Sequence, residues 1–489
     1  AGVYTVSLVV TFSHSDTGAS ATLSRIRSNY IRVDVPDAPV ANFLITSTSQ
    51  SGQESLCIPL GEDIVFHNLS DIKGATDPTY LWNFGDLSTS TVENPTHTYL
   101  SPGTYTVSLT VTTGAIFGTP LSDTRTITDS VVVTVPGPMA TILRDYVEAP
   151  DAATALTPAA GAITPTTIPV PVGGGGTVNV DVYGTVLTSQ QWRDTSDYVV
   201  VNQATAQWNH RLLVFVPSGG VSTSTALLWV TGGSNGTAPS ANSASLNGEE
   251  QIIATMAALS GSTMAVLRQV PNESLEFVVE AGLRTRSEDG IIAYTFDEYL
   301  KDPGAGDEWP LLLPMVKSAT EAMNAVEAIT AGLTTPVDEF VIAGASKRGW
   351  TSWLTAAIDA RVSAVVPFVI DMLNMDESME HHFNAYGWWA PSIYDYAQER
   401  IFGRLDTVEG QSLIDIVDPF SYRCDLTMPK YMISATGDEF FVPDSSQWYF
   451  DQLSGQKYLN YRPNDSHGLN NNQDITNPDS AIASLLSFY

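Results

Sequence analysis

A nine-residue stretch occurs twice near the start of the chain, about 100 residues apart. GVYTVSLVV at residues 2–10 matches GTYTVSLTV at residues 103–111, and each copy precedes an alternating strand that ends in proline. A period of about 100 residues is the size of one β-sandwich domain. The repeat therefore predicts the C-terminal part of a truncated sandwich over 1–36 and a complete sandwich over 37–136. Because an isolated hairpin is marginally stable, the first unit also suggests self-association through the N-terminal β-region.

The second unit carries a specific signature. It contains YLWNFGD at 80–86 and PTHTYLSPGTYTVSLTV at 95–111. These stretches resemble the polycystic-kidney-disease (PKD) domain, an immunoglobulin-like all-β sandwich with a Trp-x-Phe-Gly-Asp strand and turn. Trp82 and Phe84 alternate towards the interior, and the following Gly-Asp pair suits a tight turn. The resemblance implies a spacer or adhesion module of a secreted or surface protein.

The composition changes after residue 137. Residues 137–176 are rich in Pro, Ala, Thr and Gly, which predicts a linker and lead-in. From 177 to 489, apolar strands alternate with helical segments, which favours an α/β-hydrolase-type domain with a mainly parallel sheet. An aromatic-rich insertion at about 374–420 is expected to form a cap over the site at the carboxyl ends of the strands.

Three chemically suited residues each follow a predicted strand of this domain. Ser346 follows FVIAGA, Asp438 follows YMISATG, and His467 follows YLNYRPNDS. The order Ser, Asp, His is that of α/β-hydrolase triads. An imidazole is needed to take the serine proton, and a carboxylate is needed to orient the imidazole. Asp371, at the end of VVPFVID, is the alternative acid.

The segment around the serine departs from the usual Gly-x-Ser-x-Gly pattern. Gly344 stands two positions before the serine, but Arg348 stands two positions after it and the glycine is displaced to Gly349. A small serine that closes the turn or caps the next helix is the other interpretation. The acid and the histidine after later strands favour the nucleophile.

Residues around the serine predict the rest of the site. The N–H of Lys347 is expected to donate to an oxyanion, with Gly232 or Gly233 of the VTGGSNG loop as the second donor. Arg348 is expected to bind a substrate carboxylate or to pair with an acid such as Asp371. The aromatic side chains expected in the substrate cleft are Trp350, Trp388 and Trp389.

Metal and cofactor sites have little support in the sequence. His381 and His382 are adjacent and point in different directions on a helix, so we expect no metal there and no other cofactor. Structural calcium at the acidic sandwich loop 70–77 is the alternative. Two cysteines, Cys57 and Cys424, are too few for a disulfide framework or a zinc cluster, and the sequence leaves their pairing open.

The charge balance excludes several classes of partner. The chain has 22 Lys and Arg against 53 Asp and Glu, a net charge of −31. Such a field repels nucleic acid and anionic lipid surfaces. No apolar run reaches the roughly 18 residues that a membrane span needs. The acidity suits a secreted or cell-surface protein with no nucleic-acid partner and no membrane insertion.

Three stretches of the α/β region resemble the PhoPQ-activated pathogenicity-related protein family. They are AGASKRGWTSWLTAAIDARVSAVVPFVIDMLN, SATGDEFFVPD and YRPNDSHGL, and the likeness covers roughly 142–489. The resemblance implies an α/β-hydrolase fold, with the triad roles at Ser346, Asp438 and His467. The Ser-Lys/Arg-x-Gly elbow is also similar to that of glucuronoyl esterases, in which a basic residue after the serine assists the oxyanion.

Two functions of different classes remain open at this level. The first is a serine hydrolase, an esterase or a peptidase or amidase, that acts on a small-molecule ester, a peptide or a carbohydrate-linked substrate through an acyl-enzyme. The second is a structural or adhesive surface or filament protein in which the hydrolase fold is a scaffold.

Overall fold

The structure is a computed structural model with two compact units, Ala1–Gly137 and Pro138–Tyr489. None of the helices that it describes is long and apolar enough to cross a membrane. The residues described are 2–13, 17–18, 20–33, 37–47, 56–75, 77–116, 119–134, 142–201, 205–236, 238–280, 282, 284–304, 306–469 and 480–489.

In the first unit, all regular secondary structure of the described residues is β-strand. The strands are β1 (Gly2–Ser13), β2 (Ser20–Val33), β3 (Phe43–Ser47), β4 (Leu56–Pro59), β5 (Asp63–Asn68), β6 (Thr79–Asn83), β7 (Thr89–Ser90), β8 (Thr96–Thr98), β9 (Gly103–Ile116) and β10 (Thr119–Thr134). They form a three-stranded sheet in the order β3-β5-β8, a five-stranded sheet in the order β4-β10-β9-β6-β7, and a separate β1-β2 pair.

The two larger sheets enclose one aromatic core. Trp82 is fully buried, and its ring centroid lies 5.1 Å from that of Phe43 and 5.4 Å from that of Phe66. The hydroxyl of buried Tyr99 donates to the Phe84 carbonyl at 2.8 Å. At Gly85, φ is 84°, and an added Cβ would lie 2.6 Å from a backbone oxygen, so the turn needs glycine. The motif residues therefore fill and close the sandwich as predicted.

The first two strands form a separate two-stranded sheet. β1 and β2 pair antiparallel from Gly2↔Val33 to Ser13↔Ser20, with an irregularity near Tyr4. Its large apolar side chains are exposed on both faces of the pair, including Val3, Leu8, Val9, Phe12, Leu23 and Ile26. The matching stretch of β9 instead buries its apolar residues in the sandwich core.

The second unit alternates strands and helices. Its strands are β11 (Ala155–Thr157), β12 (Thr166–Val172), β13 (Gly176–Gln191), β14 (Tyr198–Val200), β15 (Gln207–Pro217), β16 (Thr225–Val230), β17 (Met264–Leu267), β18 (Leu275–Phe277), β19 (Thr285–Arg286), β20 (Glu339–Ala345), β21 (Val362–Phe368), β22 (Lys430–Ala435) and β23 (Lys457–Arg462). Its helices are α1 (Ile142–Glu148), α2 (Gly248–Ser260), α3 (Asp289–Lys301), α4 (Leu312–Thr330), α5 (Lys347–Ile358), α6 (Met375–Tyr386), α7 (Tyr394–Gln398), α8 (Val408–Val417) and α9 (Ala481–Phe488).

The main sheet is mixed rather than mainly parallel throughout. Its order is β11-β13-β15-β17-β16-β20-β21-β22-β23, with β12 also paired to β13. The six strands β17, β16, β20, β21, β22 and β23 run parallel to one another. Strands β11, β12 and β13 pair antiparallel, and β15 is antiparallel to both β13 and β17. Separate apolar clusters cover the two faces of this sheet. The parallel half brings the carboxyl ends of β16, β20, β22 and β23 to one edge.

Within the region expected as a linker and lead-in over 137–176, the described residues 142–176 contain a helix and two strands. α1 buries Leu143 and Val147 in the core, and β12 pairs with β13 along its whole length. The Pro and Thr of β12 are compatible with a strand because β12 pairs on one side alone and therefore needs fewer backbone donors. The insertion between β21 and β22 contains α6, α7 and α8.

Candidate active site

Ser346 lies at a sharp elbow between β20 and α5. Its backbone has φ 57° and ψ −128°, a conformation that an L-residue rarely adopts. A Cβ on Gly344 would lie 2.7 Å from the Arg348 carbonyl oxygen, and a Cβ on Gly349 would lie 2.9 Å from the Gly344 oxygen. The displaced glycine is therefore needed where the turn of the helix meets the end of the strand, and the departure from the usual pattern leaves the elbow intact.

Asp438 and His467 come together at the ends of β22 and β23. Nδ1 of His467 lies 2.9 and 3.0 Å from the two carboxylate oxygens of Asp438. Asp438 is 8% exposed and also accepts from the N–H of Phe440 at 2.8 Å. The Phe440 ring packs against the imidazole, with centroids 4.0 Å apart and an angle of 32° between the ring planes. These contacts fix the plane of the imidazole and place a proton on Nδ1.

Ser346 and His467 line one cavity of about 560 Å³. Nε2 of His467 is buried and has no hydrogen-bond partner among the described residues. The serine-histidine hydrogen bond is therefore not formed here. Such bonds often tighten only when a substrate is bound. The same cavity is lined by Thr231, Gly232 and Glu249.

A second, smaller cavity of about 40 Å³ also contacts the serine and lies under the inserted helices. Its wall is almost wholly apolar, and Ser346 and Lys347 lie where it meets the elbow. The apolar residues of the wall are Phe296, Trp350, Ile370, Met372, Met375, Met379, Ile393, Ile401, Phe402, Phe440 and Phe441. Ser346 thus belongs to the walls of both cavities.

The two cations after the serine are neutralised by two carboxylates at the start of helix α3. Lys347 Nζ lies 2.7 Å from Glu288 and 2.9 Å from Asp289, and the Arg348 guanidinium donates to both oxygens of Glu288 at 2.8 Å. Burial alone would raise the pKa of Glu288, but the contacts with Arg348 and Lys347 hold that pKa well below its usual range. The partner of Arg348 is therefore Glu288 rather than Asp371, and neither cation carries a free charge towards an oxyanion.

A second carboxyl lies behind this cluster. Glu273 accepts the backbone N–H of Glu288 at 2.7 Å. Burial, together with the nearby Glu288 carboxylate, raises the pKa of Glu273 to about 7. Sequence reasoning missed both glutamates. Glu288 lies in SEDG at 287–290, which indicates only the acidic start of a helix, and no local pattern singles out Glu273.

The oxyanion candidates differ in position. The N–H of Lys347 is the first of α5 and has no acceptor within the helix. Gly232 lines the wide cavity beside Ser346, whereas Gly233 does not. A Cβ on Gly232 would lie 2.6 Å from a guanidinium nitrogen of Arg348, so glycine lets the backbone lie close over that side chain.

Asp371, the alternative acid, is bonded to two tyrosines and not to His467. Asp371 accepts the hydroxyl of Tyr449 at 2.6 Å and that of Tyr461. Burial raises its pKa to about 6 even though both hydroxyls stabilise the carboxylate. Asp438, and not Asp371, is the acid bonded to His467.

The three tryptophans have different surroundings. Trp350 is buried, lines the small cavity and donates from its indole to the Val417 carbonyl. Trp388 is 67% exposed. Trp389 packs on Phe402, with ring centroids 4.1 Å apart, and lines neither cavity beside Ser346. Of the three, only Trp350 lies at the candidate site.

Metal-ligand candidates are engaged in other contacts. His381 pairs with Asp444 at 2.7 Å, and buried His382 accepts the Ala390 N–H at 3.1 Å. Burial lowers the pKa of His382 to about 4. In the acidic sandwich loop, the Asp71 carboxylate pairs with Lys73. No group of three or more His, Cys, Asp and Glu in the described part of the chain is arranged to hold a metal ion.

Strand order and the elbow between β20 and α5 are those of an α/β-hydrolase-like fold, and the chain also contains a β-sandwich unit. The family model for PhoPQ-activated pathogenicity-related protein matches residues 175–487, and a PKD-domain model matches residues 39–130. The chain belongs to the PhoPQ-activated pathogenicity-related protein family, as the resemblance of its sequence implies.

Individual relatives share parts of the chain. Autocrine proliferation repressor protein A of Dictyostelium discoideum is 38% identical over 290 residues, which cover 59% of this chain and 56% of that protein. The chain thus spans little more than half the length of that relative. Collagenase ColA of Bacillus cereus is 51% identical over 53 residues, 11% of this chain and 6% of that protein. Among solved structures, acetyl xylan esterase 1 from a Thermoanaerobacterium species is 17% identical, with a TM-score of 0.40 over 67% of this chain and 88% of that chain.

Proposed function

We propose that this protein is a serine hydrolase that cleaves an ester or amide through an acyl-enzyme. The observation that carries the proposal is the imidazole of His467: Asp438 holds its Nδ1, its Nε2 has no hydrogen-bond partner among the described residues, and His467 lines the same cavity as Ser346. An oriented histidine next to a serine on a strained elbow is the arrangement that activates a hydroxyl.

Each candidate catalytic residue has one role in forming and breaking down the acyl-enzyme. Nε2 of His467 accepts the proton of the Ser346 hydroxyl as its oxygen attacks the carbonyl carbon. Asp438 stabilises the imidazolium, and the N–H groups of Lys347 and Gly232 donate to the oxyanion. The imidazolium then gives its proton to the leaving group. A water molecule, activated by the same histidine, releases the acid and restores the serine.

The test is covalent labelling with a fluorophosphonate, which reacts with activated serines. We expect stoichiometric labelling of the wild type, loss of labelling in Ser346→Ala and His467→Ala, and full labelling in the control Ser363→Ala. Ser363 lies on β21 and contacts neither cavity beside the elbow. A folded wild type that stays unlabelled, or labelling that persists in Ser346→Ala, contradicts the proposal.

We also propose that the β1-β2 pair mediates assembly with a second copy of the chain. The exposed apolar side chains on both faces of this pair, Leu8 and Leu23 among them, support it. Sedimentation velocity of the wild type should show association that rises with concentration and is lost in Leu8→Lys/Leu23→Lys. A monomeric wild type rejects this proposal and leaves the hydrolase proposal untouched.

We further propose that the protein acts outside the cell, secreted or at the surface. The PKD-domain match, the net charge of −31 and the short likeness to a collagenase support this location. Fractionation of the source cells with an antibody should find the protein in the medium or on the surface. Recovery from the cytosolic fraction alone would overturn the proposal.

A further inference from the structure

We infer that the acid part of the substrate is a short apolar acyl group, propionyl to butyryl in size, bound in the small cavity under the inserted helices. The alcohol part then lies in the wide cavity. This inference rests on the proposed hydrolase function and adds its substrate class: esters of short fatty acids with polar alcohols.

The polarity of the small cavity selects an apolar group. Its charged residues, Asp289 and Lys347, pair with each other at 2.9 Å, and the Tyr396 hydroxyl donates to Asp289 at 2.9 Å. A sugar or peptide group placed there would leave its own hydroxyls or amides without partners, which is costly in a buried site. A hydrocarbon chain placed there lies against the apolar wall, which includes Met379 and Trp350.

The position of the histidine decides which part of the ester enters which cavity. The leaving oxygen takes its proton from Nε2 of His467, so the alcohol has to lie on the side of that residue. His467 lines the wide cavity and not the small one. Glu249 and Thr231 line the same wide cavity, and the Thr231 hydroxyl donates to the Glu249 carboxylate at 3.1 Å, so this part of the wall is polar and suits a hydroxylated alcohol.

The size of the small cavity limits the chain. A volume of about 40 Å³ has room for about three water-sized groups at ~10–15 Å³ each. A butyryl group places three carbons beyond its carbonyl. Each added methylene that is buried raises kcat/KM about fourfold, from ~0.8 kcal/mol per CH₂. Two methylenes therefore favour butyryl over acetyl by about 15-fold, and longer chains meet the wall.

The reaction balances without a further reagent. Ser346 Oγ forms a bond to the acyl carbon, and the bond from that carbon to the alcohol oxygen breaks. The alcohol leaves with the proton that His467 took from the serine. Water then cleaves the butyryl-serine ester, which yields butyrate and the free serine.

The experiment measures kcat/KM for p-nitrophenyl esters from acetyl to octanoyl. We expect a maximum at propionyl or butyryl in the wild type. Met379 lines the small cavity, so Met379→Trp fills it and should move the maximum to acetyl, whereas Met379→Ala should move it to hexanoyl. Met428 lies outside both cavities beside the serine, so the control Met428→Ala should keep the wild-type dependence of kcat/KM on acyl length.

The outcomes separate the inference from the function on which it rests. Ser346-dependent hydrolysis that is fastest with acetyl, or a profile that Met379 variants do not shift, overturns the inference alone. Fluorophosphonate labelling of Ser346 without turnover of any ester also overturns it and leaves the activated serine in place. If the protein shows no labelling and no turnover, both the inference and the proposed hydrolase function are overturned.

Discussion

Replacing Asp438 with asparagine tests how the histidine is held. The carboxylate keeps a proton on Nδ1 of His467 through contacts of 2.9 and 3.0 Å and is itself fixed by the Phe440 N–H. An asparagine can accept from Phe440 through its carbonyl, but its NH₂ then faces Nδ1. The imidazole has to accept there, so its proton moves to Nε2, which can no longer take the proton of Ser346.

The expected loss is about four orders of magnitude. A positive imidazolium and a carboxylate about 3 Å apart attract by ~5 kcal/mol at an effective dielectric constant of ~20. Each 1.36 kcal/mol is a factor of ten in rate, so ~5 kcal/mol corresponds to about 10⁴. Removal of the equivalent charge in a well-studied triad costs about the same factor.

The rate constant for fluorophosphonate labelling is the assay, because it reports serine activation without knowledge of the substrate. We expect Asp438→Asn to label about 10⁴-fold more slowly than the wild type at pH 7, with near-native circular dichroism. Asp371→Asn is the matched control and should label within about tenfold of the wild type, since Asp371 contacts two tyrosines and not His467. The reasoning is refuted if Asp438→Asn labels within tenfold of the wild type, or if both variants lose the same factor.

Three further changes have defined outcomes. Gly349→Ala puts a Cβ 2.9 Å from a backbone oxygen of the elbow and should lower the unfolding free energy, measured in urea, by about 1–3 kcal/mol. The control Gly403→Ala has open space around the new Cβ and should cost less than about 0.5 kcal/mol. Equal costs would contradict the packing argument. The pKa of Asp371 in the folded protein, about 6, exceeds its ordinary 3.8, so its contribution to stability is present below pH ~4 and is lost as pH rises through 6. Asp371→Asn should therefore gain on the order of 3 kcal/mol relative to the wild type between pH 4 and 7, and an unchanged difference would reject this assignment. Tyr99→Phe removes the buried hydrogen bond to Phe84 and should lower the unfolding free energy of the sandwich by about 1–3 kcal/mol in thermal denaturation; no loss would show that this bond is not stabilising.

Much of the sandwich was predictable because its motif encodes local geometry. Trp82 and Phe84 alternate on one strand, and Gly85 provides the positive φ that the next turn needs. Alternation and turn chemistry act over a few residues, so a single sequence reveals them. The family-model match over 39–130 confirms the predicted domain type.

The candidate site was predictable only where residues follow strands. Ser346, Asp438 and His467 each come shortly after the end of a strand, and the parallel sheet gathers those ends at one edge. The neutralisation of the cations after the serine was not predictable. Glu288 reaches Arg348 through the placement of α3, 60 residues away in sequence, and no local pattern reports that contact.

Strand β12 was not predictable from composition, for a related reason. Strand β12 contains Pro169 and Pro171, which composition assigns to loops. Proline is compatible with a strand that pairs on one side, and the sheet supplies that partner in β13. Edge position is a property of the assembled sheet, so the sequence alone points to a linker.

The close approach of Gly232 to Arg348 has an evolutionary consequence. A flexible guanidinium could ordinarily swing away from a new methyl group, but this one is tied to Glu288 and to the Val270 carbonyl. A mutation that adds a side chain at 232 would therefore be tolerated only after Arg348 has been shortened. Among descendants of a common ancestor the two positions should change together, with the arginine lost first, and lineages that retain the arginine should retain the glycine.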